Sequence, residues 1–150
     1  MSSTPPPPAT IVIFGGSGDL ARRKLVPALL DLHCQGQLAP ETAIVGFARS
    51  VGSDEAWRVD LKAALAEFGR TARTEEERQA FAERLFHFQG DLGSTQSFVD
   101  LKARLEALEA ERNLPGNRLY YLAIPPSGIG DAVSRLGQAG LVHSVESPGP

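Results

Sequence analysis

The 150 residues hold one cysteine, one tryptophan and one methionine, and aromatic side chains make up only 7% of the chain. A lone thiol, Cys34, excludes a disulfide framework and a cysteine-based metal cluster, fits a reducing compartment, and reads as a small buried apolar residue. No apolar run approaches the roughly 20 residues of a membrane span, and no basic stretch followed by an apolar one opens the chain as a signal peptide would. The expectation is a cytoplasmic protein with no membrane partner. Positive charge is also short. With 15 Lys and Arg against 18 Asp and Glu, a net charge of −3, the chain has no general attraction for nucleic acid.

Glycine and proline are plentiful, at 15 and 11 residues, and their placement organises the rest. Four consecutive prolines in MSSTPPPPAT fix an extended backbone without amide donors, so residues 1–10 read as a disordered tail. Residues 11–141 read as one domain and 142–150 as an irregular tail. Ile11–Phe14 is a continuous β-branched and apolar run, the pattern of a strand buried on both faces of a parallel sheet. A helix follows, with Leu25, Ala28, Leu29 and Leu32 on one stripe and Gly36 ending it. Pro27 lies inside that pattern and predicts a kink near Arg23, whose carbonyl loses its partner.

The alternation then repeats. Thr42–Ala48 reads as a second strand after a turn at Pro40. A helix over 53–68 follows, capped by Ser53 or Asp54, with Trp57, Leu61, Ala64, Leu65 and Phe68 facing inward. Thr74 caps a further helix, and Leu85–Asp91 reads as a third strand. Ser94 or Thr95 caps a long helix carrying Phe98, Leu101, Leu105 and Leu108, whose EALEAER segment reads as a solvated charged face. Arg118–Ile124 is a fourth strand, stopped by Pro125 and Pro126. A short helix with Ala132, Val133 and Leu136 inward completes the domain. Strands alternating with helices predict an α/β fold: a Rossmann-type, doubly wound parallel sheet with helices on both faces. Ligands of such sheets bind beyond the carboxyl ends of the strands, at the strand-to-helix junctions.

The first junction is Gly15-Gly16-Ser17-Gly18-Asp19-Leu20-Ala21. Gly16, Gly18 and Ala21 satisfy the dinucleotide pattern G-x-G-x-x-G/A after a strand and at the start of a helix, where backbone amides and the helix dipole favour a pyrophosphate. Ser17 adds a hydroxyl donor, and Ala21 keeps the helix close to the strand. Asp19 reads as a helix cap or an acceptor for loop amides. No Gly-Lys pair follows at the spacing of a nucleoside-triphosphate loop. At the second junction the strand runs into Arg49 and Ser50 with no acid before Asp54. A site for an unphosphorylated ribose places an acid there, whereas a planar guanidinium suits the 2′-phosphate of NADP.

The blocks GGSGDLARRKLVPALL, IVGFARS and NRLYYLAIPPS, in this order, resemble the N-terminal coenzyme domain of the glucose-6-phosphate dehydrogenases over Ile11–Leu141. The resemblance implies NADP as cofactor and oxidation of glucose 6-phosphate to 6-phosphogluconolactone, the entry of the oxidative pentose phosphate pathway. It implies that Gly15, Gly16, Ser17, Gly18, Asp19, Leu20, Ala21 and Arg22 wrap the pyrophosphate, and that Arg49 meets the 2′-phosphate. It also implies that Asp91 and Leu92 lie near the adenosine and that Lys24 faces the sugar phosphate. Family members are usually homo-oligomers. Where the family often carries an aromatic after Pro-Pro-Ser, this chain has Gly128 and Ile129.

The family's Glu-Lys-Pro segment, its His-Tyr-x-Gly-Lys motif and its catalytic histidine are not found in these 150 residues. No catalytic residue is assigned, and the expectation is an incomplete chain that binds coenzyme but is inactive alone. His33, on a helix, His87, in a strand, and His143, in the tail, share no junction with the glycine loop and read as structural. Two alternatives stay open: a reductase- or epimerase-like enzyme using the same coenzyme, and a non-enzymatic dinucleotide sensor. The first would need a Tyr-x-x-x-Lys pair on a helix, but Tyr120 and Tyr121 fall in a strand.

Overall fold

The computed structural model describes residues 8–16, 18–39, 41–49, 52–68 and 73–141. Residues 1–7 of the expected N-terminal tail, the whole expected C-terminal tail with His143, the turn at Pro40, and Ser17 and Ser50 lie outside the described residues. Four parallel strands, β1 (Thr10–Phe14), β2 (Ala43–Ala48), β3 (Leu85–Gln89) and β4 (Arg118–Leu122), form one sheet in the order β3-β2-β1-β4. The helices are α1 (Val26–Cys34), α2 (Asp54–Phe68), α3 (Glu75–Ala82), α4 (Thr95–Arg112) and α5 (Ile129–Gln138).

The two central strands are buried at every residue, so their alternation sorts side chains between two apolar layers rather than between core and solvent. Ile11 and Ile13 face one layer with Leu29, Leu30, Trp57, Leu61, Leu65 and Phe81. Val12 and Phe14 face the other with Val45, Phe47, Phe98, Leu101, Leu105 and Leu136. Phe14 is the hub of that second layer, its ring 4.8 Å from Phe47, 5.8 Å from Phe98 and 6.2 Å from Tyr120. In register, Phe14 lies beside both Phe47 and Leu122, and Ala48 beside Gln89. The carboxyl ends of all four strands therefore finish level, and the four junctions share one rim.

Local signals explain most element ends. Thr74 and Glu77 form a reciprocal capping box, and the Ser94 side chain accepts the Ser97 amide. Gly36 takes φ +73°, the left-handed turn after α1. Pro27 lies where the helix changes form. Just ahead of it, Ala21–Leu25 widens into a π-helical turn in which the Val26 amide donates to Ala21 O, because proline offers no amide and its ring displaces the Arg23 carbonyl.

Several expectations change. β1 begins at Thr10, whose amide donates to Asn117 O, so the sheet reaches into the expected tail. β3 ends at Gln89 and β4 at Leu122, because the Gly90 and Ala123 amides make the last bonds to their neighbours and the chain then turns. Leu32 and Val133 are exposed, since each lies off the stripe that its helix presents to the sheet. Cys34 is half-buried at the margin of the first layer rather than inside it. The EALEAER segment is not wholly a solvated face. Glu109 is buried and holds Arg118 of β4 through two bonds, Nε to Oε2 at 2.8 Å and the terminal amino group to Oε1 at 2.9 Å.

Candidate functional site

All four junctions contribute to one cleft. Gly15 and Gly18 from the first, Phe47, Ala48 and Arg49 from the second, Leu92 from the third and Ile124 from the fourth line a space of about 350 Å³. A second, polar recess of similar size continues from Arg49 past Gln89, Gly90 and Asp91 to Ser97. In a 3-2-1-4 sheet the chain reverses direction between β1 and β4, and a crevice opens at that point. Gly15 sits at this crevice with φ +86°, and a β-carbon there would run into the carbonyl of Ala123 at the end of β4.

The glycines serve the loop's own packing as much as ligand approach. A β-carbon on Gly16 would lie 2.8 Å from the Gly46 α-carbon, and one on Gly18 3.2 Å from Gly15 O. The amides of Gly15 and Gly16 both donate to Phe47 O, at 2.9 and 3.2 Å, and the Gly18 amide donates to Gly15 O at 2.9 Å. They are thus not the free donors expected from the sequence. Among the described residues, helical bonding begins with the Arg22 amide on Gly18 O, which leaves the first-turn amides of Asp19, Leu20 and Ala21 without intrahelical acceptors there. An anion at this end of the turn would meet those three amides and the positive end of the helix dipole. Ala21 is fully buried against the sheet. Ser17 lies outside the described residues.

The charged residues of this stretch separate. Asp19 caps nothing. It stands in the first helical turn and accepts from Arg23 Nε at 2.9 Å, one turn on, in a pair exposed to solvent. Arg22 turns toward α2 and donates to Asp60 at 3.2 Å, and its Nε is buried without a partner. Lys24 lies with Arg23, Pro27 and Phe68 along a different cleft of about 390 Å³. Arg49 is exposed, with its carbonyl accepting from Gln89 Nε2 at 3.3 Å, and no carboxylate among the described residues pairs with its guanidinium. Asp91 folds its own turn: its carboxylate accepts the Gly93 amide at 2.8 Å, and its own amide donates to Ser97 Oγ at 3.0 Å.

One residue of the site escaped notice in the sequence. Trp57 looks like an ordinary inward position of α2, yet its indole N–H donates to Gly16 O at 3.3 Å, and its ring occupies the space that a β-carbon on Gly46 would need. The signal was the Ile44-Val45-Gly46-Phe47 interruption: a glycine inside a buried strand marks a close approach.

Neither described histidine lines the cleft. His33 Nδ1 accepts from Arg84 Nε at 3.0 Å, and burial together with the Arg84 charge pushes its pKa down. His87 donates its amide to Asp54 at 2.7 Å, and its ring lies close to where a β-carbon on Gly52 would stand.

The cleft can hold an extended anion with phosphates at both ends, one at the first-turn amides and one at Arg49. The residues present fit a dinucleotide. Comparisons with known proteins agree in kind. The family model described as "Glucose-6-phosphate dehydrogenase, NAD binding domain" matches residues 12–148. Glucose-6-phosphate 1-dehydrogenase of Chlamydia pneumoniae is 34% identical over 139 residues, 93% of this chain and 27% of that protein. Glucose-6-phosphate 1-dehydrogenase 2 of Mycobacterium bovis is 37% identical over 133 residues, 89% of this chain and 26% of that protein. A solved glucose-6-phosphate dehydrogenase in complex with its substrate glucose-6-phosphate superposes with a TM-score of 0.80 at 33% identity, covering 97% of this chain and 30% of the other. The chain thus spans between a quarter and a third of the length of the relatives it matches. From the glycine loop to the fourth junction, this chain belongs to the glucose-6-phosphate dehydrogenase family and corresponds to its NAD-binding domain.

Proposed function

We propose that this chain binds NADP in preference to NAD and serves as the coenzyme half of a glucose-6-phosphate oxidoreductase. The observation that carries the preference is Arg49. An arginine with no carboxylate partner among the described residues follows the end of β2, where an acid would be needed to hold the ribose hydroxyls of NAD. The amides of Asp19, Leu20 and Ala21 would hold the pyrophosphate and Arg49 the 2′-phosphate. Leu92 and Ile124 would cover the apolar faces of the bound dinucleotide. When bound, the nicotinamide supplies the hydride acceptor for oxidation of a sugar hydroxyl.

The described residues of the cleft offer no side chain placed to accept the proton of that hydroxyl. General base catalysis needs such a group within hydrogen-bond reach. The role supported for this chain is binding and orientation of coenzyme. The full reaction would draw its base and its sugar-phosphate site from residues beyond those matched here.

The test is calorimetric titration of the chain and of its Arg49→Ala variant with NADP and with NAD. Charge-assisted hydrogen bonds contribute about 1.5–3 kcal/mol, so NADP should bind about ten- to a hundredfold more tightly than NAD, and the variant should lose most of that difference. Equal affinities in the unmodified chain would overturn the preference.

A further inference from the structure

We propose that Phe86 and the three arginines around it form a binding site for a small multivalent oxyanion, separate from the cleft at the strand-to-helix junctions. Phe86 leaves β3 on the α4 side of the sheet. The guanidinium carbons of Arg58, Arg112 and Arg104 stand 5.2, 5.6 and 5.9 Å from its ring centroid. Arg104 and Arg112 come from α4, whereas Arg58 comes from α2 on the opposite layer and reaches round the sheet edge. Three cations from two layers thus converge on one ring.

Two of the three are already fixed. Arg58 Nε donates to Leu85 O and Arg112 Nε donates to Glu41 O, each at 2.8 Å. Neither has a further hydrogen-bond partner among the described residues, so their terminal amino groups remain available to another acceptor. A guanidinium held by its Nε presents a preorganised fork for oxyanion oxygens, with less side-chain freedom left to lose on binding. Arg104 has one carboxylate near it, Asp54 Oδ2 at 3.9 Å, and the other oxygen of that carboxylate is committed to the His87 amide. A fourth cation, the buried Arg84, feels the charge of Arg112. Among the described residues, Asp54 is the only carboxylate in ion-pair range of the three guanidiniums, in a chain whose net charge is −3.

The same edge argues for a small anion over an added peptide strand. The outward-facing Leu85 carbonyl and His87 amide of β3 are occupied by Arg58 and Asp54, so strand pairing would have to displace both. The guanidiniums also belong to three residues on two helices, each between 5.2 and 5.9 Å from the ring centroid. A monophosphate engages one fork at a time, whereas a linear triphosphate spans more than one.

The probe is inorganic tripolyphosphate, titrated calorimetrically at low ionic strength, where exposed charges are least screened, with orthophosphate and sulfate as controls. Saturable binding of tripolyphosphate is expected, with orthophosphate about tenfold weaker or more because it engages fewer forks. The Arg104→Gln/Arg112→Gln double variant should lose about tenfold in affinity, while Arg49→Ala retains the binding. Amide shift mapping on the unmodified chain gives a readout independent of variant folding. The largest changes should fall at Phe86, Arg104 and Arg112, not at Gly15–Ala21. Wild-type affinity in the double variant, loss of binding in Arg49→Ala, shifts centred on the glycine loop, or no binding at millimolar probe would each overturn the proposal.

Discussion

The two edges of the sheet are finished differently. At β3, α2 lends side chains to the strand's outer backbone, Asp54 to the His87 amide and Arg58 to the Leu85 carbonyl. Arginines from both layers then close over Phe86. At β4 no side chain among the described residues bonds to the outer backbone, and Leu119 stands 49% exposed. One strand is completed as an edge, while the other keeps the two-faced apolar character of an interior strand: Leu119 and Tyr121 alternate with Tyr120 and Leu122. Edge protection here comes from the neighbouring helix, and composition alone does not reveal it.

The largest expected effect lies on the β4 side. Glu109→Ala would leave Arg118, whose side chain is 12% exposed, without its two bonds, and chemical denaturation should show a loss of about 3 kcal/mol, the lower end for a buried pair. A loss below about 1 kcal/mol would mean that the pair is solvated in solution and that β4 is held by its apolar contacts alone.

A smaller effect is expected at β3. Asp54→Ala leaves the His87 amide unpaired and should cost about 1–2 kcal/mol. Hydrogen exchange should quicken at His87 while the β4 amides keep their protection. Equal acceleration at both edges would erase the distinction drawn between them.

Acid should separate the edges again. Arg84 leads directly into β3 and holds the carbonyls of Ala39 and Thr42, and its Nε bond requires a neutral His33 Nδ1. Burial and Arg84 lower the His33 pKa from its ordinary 6.5, against a weaker opposing pull from Glu77. As pH falls, the unfolded chain therefore takes up this proton before the folded one does. The stability that His33 contributes is fully present above about pH 6.5 and is lost progressively below it. Denaturation midpoints of the wild type should fall between pH 7 and pH 5 more steeply than those of His33→Gln; parallel profiles would remove His33 from the account.

The smallest effect on stability belongs to Leu119→Lys, within about 0.5 kcal/mol because the site is exposed. Its consequence should appear in association. Sedimentation at high concentration should show less self-association than the wild type, and no change would mean that β4 is not an adhesive edge.

The layering was legible because both central strands are continuous apolar runs, and the helices announced themselves through Thr74, Ser94 and the leucine stripe of α4. The cleft was legible too, since glycine spacing and the absence of an acid at Arg49 are local facts. Long-range pairings were hidden. Nothing adjacent in sequence says that Glu109 meets Arg118, that Arg22 turns to Asp60, or that Asp54 serves β3 instead of its own helix, where Ser53 is the residue that accepts the Ala56 amide. The glycine amides misled for the same reason, since their acceptor, Phe47 O, belongs to another strand.

Trp57 is the only tryptophan in the chain, and its indole is bonded to the glycine loop. The tryptophan emission of the protein therefore comes from beneath the loop that faces a bound dinucleotide. Any ligand that shifts Gly16 changes the polarity and hydrogen bonding of that one fluorophore, so coenzyme binding can be followed optically without a label. A ligand seated at Phe86 should leave the signal still.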